Sequence, residues 1–169
     1  NDAILSIHHA TLDVLETVGF GEAPDSTRKL LIDAGGWMNA RGRLCLPRSL
    51  LEDTISEANR SLTLHGQDKK HDVEADGTRT YFSTGCGSVR VVDPIEKTVR
   101  HMTTVDVYNF ARIVDVLENI HVFHRCGTPT DIDDIDDVDV NLCYACVRGT
   151  SKHVSSSWFN GHNVKRCLE

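Results

Sequence analysis

Long apolar runs are missing from this sequence of 169 residues. None approaches the roughly 18 needed to span a bilayer, and no positively charged, apolar, small-residue leader opens it. Basic charge is also short: 18 Lys and Arg against 25 Asp and Glu leave a formal charge of −7. Such a balance offers no general attraction to phosphate backbones or anionic lipid, so no nucleic acid and no membrane partner is expected, and the expected location is cytoplasmic. No initiator Met stands at Asn1, and a helix is just beginning where Glu169 closes the sequence. A fragment of a longer protein is the expectation.

Metal patterns are absent too. Cys143-x-x-Cys146 has no second CxxC and no suitably spaced His pair, and on a helix its spacing puts both thiols on one face, so core packing is expected there. The histidines form no HExxH, and no metal site is expected. Asp131 to Asp139 resembles a calcium loop at first glance. An EF-hand counted from Asp131 needs Gly and Glu where Asp136 and Leu142 stand, so the stretch reads as a solvated acidic loop favouring the next helix's amino end. Docking against a basic patch on a partner is the other use for it. The six cysteines, Cys45, Cys86, Cys126, Cys143, Cys146 and Cys167, are scattered in a chain without a leader; reduced thiols, mostly small core residues, are expected.

What is present is ordinary globular composition, 40% hydrophobic and 25% charged, enough to bury a core. Ile4, Ile7, Leu12, Leu15 and Val18 give a helix over 2–18, stopped by Gly19 and Gly21. A second helix follows over Thr27 to Ala34, with Leu30 and Leu31 inward. Trp37-Met38 and Arg43 to Leu46 flank a four-residue turn, and Pro47 opens a third helix reaching about Asn59. Ser61 to His65 alternates like a half-buried strand, and Gln67 to Gly77 reads as polar loop.

The chain is organised around Arg79 to Gly87. Thr80, Tyr81, Phe82 and Thr84 run straight into Gly85 and Gly87, as in a buried strand ending where backbone must approach something closely. A hairpin from Val89 to Met102 follows, then a helix over Thr104 to Leu117 capped by Thr103 or Thr104, with Val107, Phe110, Ala111, Ile113, Val114 and Leu117 inward. Ile120 to Phe123 is a second strand, ending in His124, Arg125, Cys126 and Gly127. A helix from about Val140 to Gly149 leads to a third strand starting at Lys152-His153-Val154 and ending near Trp158-Phe159, before a last helix from His162. Strands joined by helices signify a parallel sheet, where chemistry gathers at the carboxyl ends. Lys152 and His153 lie at the opposite, structural end.

The colinear order of IHHATLDVLETVGF, the LLIDAGGWMNARGRLCLPRSLLEDTISEANRSLTLHGQD block, YFSTGCGSVRVVDPIEKTVR, TTVDVYNFARIVDVLENIHVF and TSKHV resembles the amino-terminal portion of the trimethylamine methyltransferase (MttB-type) family, which includes glycine betaine methyltransferase-like members. The resemblance implies an α/β chain: the amino-terminal part of a TIM (β/α)8 barrel preceded by helices and short β-hairpins, divided into a front section at 1–78 and the first three strand units at 79–169. A closed barrel needs eight strands and typically about 250 residues, so the barrel is incomplete in this chain. The remaining catalytic apparatus, including the position of pyrrolysine in the true trimethylamine enzymes, is implied downstream of Glu169, and this isolated piece is expected to be inactive.

The implied reaction passes a methyl group from a methylated amine, such as trimethylamine or glycine betaine, to a corrinoid (cobalamin) carried by a partner protein, with none bound covalently here. A quaternary ammonium has no N–H to donate and is best held by aromatic faces and carboxylates. Tyr81 and Phe82 adjoin the first strand end, and alternation sends one of them inward. The substrate-binding candidates are therefore Tyr81, Phe82, Thr84, Gly85, Cys86, Gly87, His124 and Arg125, an Arg there being suited to a substrate carboxylate. Catalytic residues are not assigned, and self-association into a homo-oligomer stays open. The competing reading is a truncated, non-catalytic module that binds a quaternary amine or pairs its open sheet edges with a partner chain.

Overall fold

The computed structural model describes residues 2–169 and divides into two units, 1–59 and 60–169. In the first unit, α1 (Asp2–Thr17) is followed by α2 (Asp25–Asp33), the antiparallel pair β1 (Trp37–Met38) and β2 (Leu44–Cys45), and α3 (Arg48–Glu57). Its core is small: Leu12 from α1 against Leu44, Cys45 and Leu46. Gly19 ends α1 with φ +71, and a Cβ there would collide with the Leu44 carbonyl. The close approach lets Phe20 and Leu44 exchange backbone hydrogen bonds of 2.8 and 3.0 Å. Arg48 ties α3 to α1, its guanidinium on Asp13 and its N–H donating to Glu16. The inward assignment of Leu30 is corrected: with 68% of its surface exposed, it lies on the outer side of α2. Pro47 precedes α3 as its cap residue rather than entering its first turn.

The second unit opens with an unforeseen hairpin. Within the stretch read as polar loop, Val73–Ala75 forms β4 and pairs antiparallel with β3 (Leu62–Leu64) after a 3-10 turn at Lys69–His71. The next hairpin, β5 (Arg90–Val92) with β6 (Val99–His101), falls where the alternation placed it. Then α4 (Thr104–Val116) starts at a full capping box: Thr103 accepts from the Asp106 N–H while the Asp106 carboxylate accepts from the Thr103 N–H at 2.8 Å. Strand β7 (Val122–His124) pairs parallel with β8 (His153–Ser155), joined through α5 (Ile135–Gly149); α6 (Asn163–Leu168) ends the chain.

Phe123 explains the layering. It is fully buried among Val107, Ala111 and Val114 of α4 and Leu142, Ala145 and Cys146 of α5, so both helices cover one face of the parallel pair. The helices pack closely because Gly149 has no side chain; a Cβ there would strike that of Ala111 and come within 2.9 Å of the Tyr108 carbonyl.

Four further expectations are corrected. Residues 80–84 form no buried strand: the segment pairs with β7 as an isolated parallel bridge from Ser83 to Val122, and Phe82 is 59% exposed. Ile113 of α4 and Leu117, just past its end, are exposed rather than inward. Helix α5 begins at Ile135, inside the presumed acidic loop, with Asp134 as its cap and Asp136 and Asp137 in its first turn. The third strand stops at Ser155, short of Trp158. Of the six thiols, all free, only Cys45 and Cys146 are buried, and Cys86 is exposed. The sheets are short and none closes on itself. No helix among the described residues is long and apolar enough to cross a membrane.

Candidate functional site

Alternation along β7 and β8 gives the parallel pair a second face. If Phe123 and Val154 pack toward the helices, then Val122, His124, His153 and Ser155 must point the other way. They line a cleft of about 330 Å³, walled by Tyr81, Phe82 and Ser83 along one side and floored by Leu64, Val73 and Ala75 of the β3–β4 hairpin. The hairpin is held there from beneath. Nδ1–H of His153 donates to the His65 carbonyl at 2.9 Å.

Tyr81 and Phe82 owe their places to His121. Its ring Nδ1 accepts the Phe82 N–H at 3.1 Å and its backbone N–H donates to the Phe82 carbonyl at 2.8 Å. The Tyr81 ring stands edge-on to His121, centroids 5.1 Å apart, and already carries a cation, the Arg79 guanidinium at 5.8 Å. Phe82, in contrast, leaves most of its ring open to solvent. Both aromatics thus line the cleft, where alternation had sent one.

Above the cleft, at the strands' carboxyl ends, Thr84 donates its hydroxyl to the His124 carbonyl, and Ser88 bridges Gly127 in the register set by Ser83 and Val122. Between these ties Gly85, Cys86 and Gly87 form an exposed rim, Gly87 at φ +87. A Cβ added to Gly85 or Gly87 would meet nothing within 4 Å, so the rim is open rather than packed. Gly127 differs: a side chain there would collide with the Met102 sulfur and the Ser88 carbonyl.

Arg125 goes elsewhere. Two residues beyond Phe123, it lies over the Phe159 ring at 5.6 Å and donates Nη1 to the Ser157 carbonyl at 3.3 Å, bracing the loop after β8. Its Nε is buried without a hydrogen-bond partner. The structure therefore brings Tyr81, Phe82 and His124 together, sets Thr84, Gly85, Cys86 and Gly87 on the rim above them, and holds Arg125 against the helical side. His153, read as structural from the sequence, Ser155 and the β3–β4 floor were not among the sequence candidates. The period-two pairing of Val122 with His124 and of His153 with Ser155 was the available signal.

The surrounding charges are committed to structure. Lys152 is only 3% exposed, and its ammonium donates at 2.7 Å to each of the carbonyls of Val114, Leu117 and Ile120, closing the carboxyl end of α4. Burial pulls its pKa below the ordinary lysine value. For Asp115, burial opposes the charge, but hydrogen bonds from Ser151 and Thr150 outweigh it and hold the carboxyl below the usual range. Asp139 is buried because the N–H groups of Phe159 and Asn160 and the Asn163 amide all donate to it. No group of three His, Cys, Asp or Glu among the described residues is placed to hold a metal ion.

A parallel strand–helix–strand unit with its helices on one face and an aromatic-walled cleft on the other defines an α/β protein with a ligand-sized concavity at the sheet. The chain belongs to the trimethylamine methyltransferase (MTTB) family, whose sequence model matches residues 1–169. It is 29% identical to the trimethylamine methyltransferase MttB of Desulfitobacterium hafniense (strain DSM 10664 / DCB-2), over 100% of this chain and 34% of that protein. A glycine betaine methyltransferase of Desulfitobacterium hafniense (strain Y51) is 24% identical over 89% of this chain and 31% of its own length. Trimethylamine methyltransferase MttB1 of Methanosarcina mazei is 27% identical, over 97% of this chain and 34% of its own. This chain spans about a third of the length of the curated relatives it matches.

Proposed function

We propose that the chain contributes the first part of the barrel of a corrinoid-dependent methyltransferase, which takes a methyl group from a methylated amine such as trimethylamine or glycine betaine. The observation that carries this reading is the family match along residues 1–169. The βαβ order, with α4 and α5 on the Phe123 face, supports the barrel: continued in the same sense, it would enclose the cleft as part of the lumen.

In this reading the Phe82 ring offers its face to the ammonium, and Tyr81, engaged by Arg79, stiffens the wall. His124 and Ser155 supply polar contacts deeper in the cleft. The corrinoid, brought by a separate protein, supplies the cobalt nucleophile that accepts the methyl group when bound. The open rim over Gly85 and Gly87 is the part of this chain with room for so broad a group. The chain's own residues hold the amine in line and keep water from it.

The test is methyl transfer by the full-length product of this reading frame, mixed with cob(I)alamin, free or protein-bound, and a panel of trimethylamine, glycine betaine, carnitine and proline betaine. Methylcobalamin formation with one amine is the expected result. In that assay Phe82→Ala should raise KM about fivefold, the worth of one cation–π contact at about 1 kcal/mol. No transfer with any amine overturns the reading.

A further inference from the structure

The first unit carries a feature that methyl transfer does not use. Along α1, Ile4, Ile7, Thr11, Val14 and Val18 recur at alternating steps of three and four residues, the 3.5-residue repeat of a helix–helix seam. All five are exposed, Ile7 by 68% and Val14 by 53%. The core stripe of the helix, through Leu12, is a different face. Even the one hydroxyl in the seam is prepared for burial: Thr11 Oγ1 donates to the Ile7 carbonyl of its own helix at 2.9 Å, which leaves its methyl group outward. Thr17, at the edge of the same face, donates likewise to the Asp13 carbonyl at 2.6 Å.

Charge is absent from this face and present on the other. Asp13 and Glu16 are turned to Arg48 of α3, and His8 to Glu52. A solvated helix face would carry ions; this one carries aliphatic side chains at the spacing of a helix–helix seam.

The ends of α1 select the partner and its direction. Beside Thr17 and Val18 lies a cleft of about 320 Å³ lined by Asn39, Ala40, Arg41 and Arg43. Arg43 donates to the carbonyls of Val18 and Gly19, and neither arginine meets a carboxylate among the described residues. The opposite end begins with Asp2. Two copies side by side in parallel would set Asp2 against Asp2 and one basic cleft against the other. Running antiparallel, each acidic start meets the other copy's basic cleft, Ile4 lies opposite Val18, Ile7 opposite Val14, and Thr11 sits on the two-fold axis.

We propose that α1 is a self-association surface, pairing antiparallel with α1 of a second copy of this chain through the Ile4-to-Val18 seam. The proposal stands apart from the methyltransferase reading and holds or fails without it.

Light scattering on the size-exclusion eluate of the full-length product of this reading frame tests it, with an expected mass of twice that of one chain. Val14→Glu, a change at an exposed position, should halve that mass and leave the far-ultraviolet circular dichroism unchanged. Under oxidation, Thr11→Cys should link to itself, with peptide mapping locating the bond at position 11. Ile4→Cys should not self-link, but should link when combined with Val18→Cys. A single-chain mass for the unsubstituted protein at every concentration, or a dimer that survives Val14→Glu, overturns the seam. Self-linking at position 4 overturns the antiparallel arrangement.

Discussion

Replacing Lys152 by methionine keeps the aliphatic stem and removes three charged hydrogen bonds, each 2.7 Å long in the structure. Bonds to a charged group are worth about 1.5–3 kcal/mol each, and the effective penalty for burying an ammonium is several kcal/mol. Two of the three carbonyls also keep a backbone partner, Val114 from the Leu117 N–H and Leu117 from the Ile120 N–H, both at 3.2 Å. The remainder is a net loss of about 2 kcal/mol, with the last turn of α4 fraying first. Equilibrium urea unfolding should show a lower midpoint at unchanged slope, and hydrogen exchange should accelerate at the Leu117 and Ile120 amides. Equal or greater stability in the methionine variant would mean that desolvation cancels the three bonds, and would refute the role of Lys152 as a helix cap.

Gly149→Ala should cost about 2 kcal/mol by wedging α4 from α5, and adding Ala111→Gly should recover part of that in a double-mutant cycle; strict additivity would contradict the contact. Asp106 is held well below the ordinary carboxylate range by hydrogen bonds from Arg100, against some burial and with help from Thr103. Its folded pKa is depressed, so the stability it lends is present at neutral pH and is lost as pH falls below about 4 through the folded value. Melting temperatures of Asp106→Asn should accordingly start lower at pH 7 and fall less steeply in acid; parallel curves would remove Asp106 from the acid limb. Burial pushes the Cys146 thiol up to about 12, while Cys86 stands exposed on the rim. Iodoacetamide at pH 8 should label Cys86 and leave Cys146 untouched in the native protein, and comparable labelling of the two would show that the α4–α5 core opens freely.

Where local chemistry decides, the fold was legible from residues alone. Thr103 with Asp106 three positions on announces α4, and Val89 to His101 alternates around a turn. Asp134, Asp136 and Asp137 were misread because acids at a helix start and acids in a solvated loop look alike until something shows where the first turn closes. Strand β4 escaped because Val73-Glu74-Ala75 holds one buried apolar residue; its partner Leu62–Leu64 makes it a strand. Tyr81 to Thr84 erred the other way, since β propensity anticipates a pleated, half-buried surface and pairing on one side at Ser83 supplies little of it. The rim residues Gly85 to Gly87 were visible as a turn. The cleft was not, because its β8 side and its floor come from segments nearly 90 residues apart, as the His153 to His65 bond records.

The bond from His153 to His65 is one strand of a clasp. Asp68 donates its N–H to the Ser151 carbonyl at 3.0 Å, and the Gln67 amide donates to the carbonyls of Val147 and Thr150. These ties run from residues 65–68 to residues 147–153, so the first hairpin of the unit is fastened across most of the unit's sequence. Loop closure over such a distance is slow even when it is not costly. A change that frees residues 147–153 would loosen the floor of the cleft together with the start of β8.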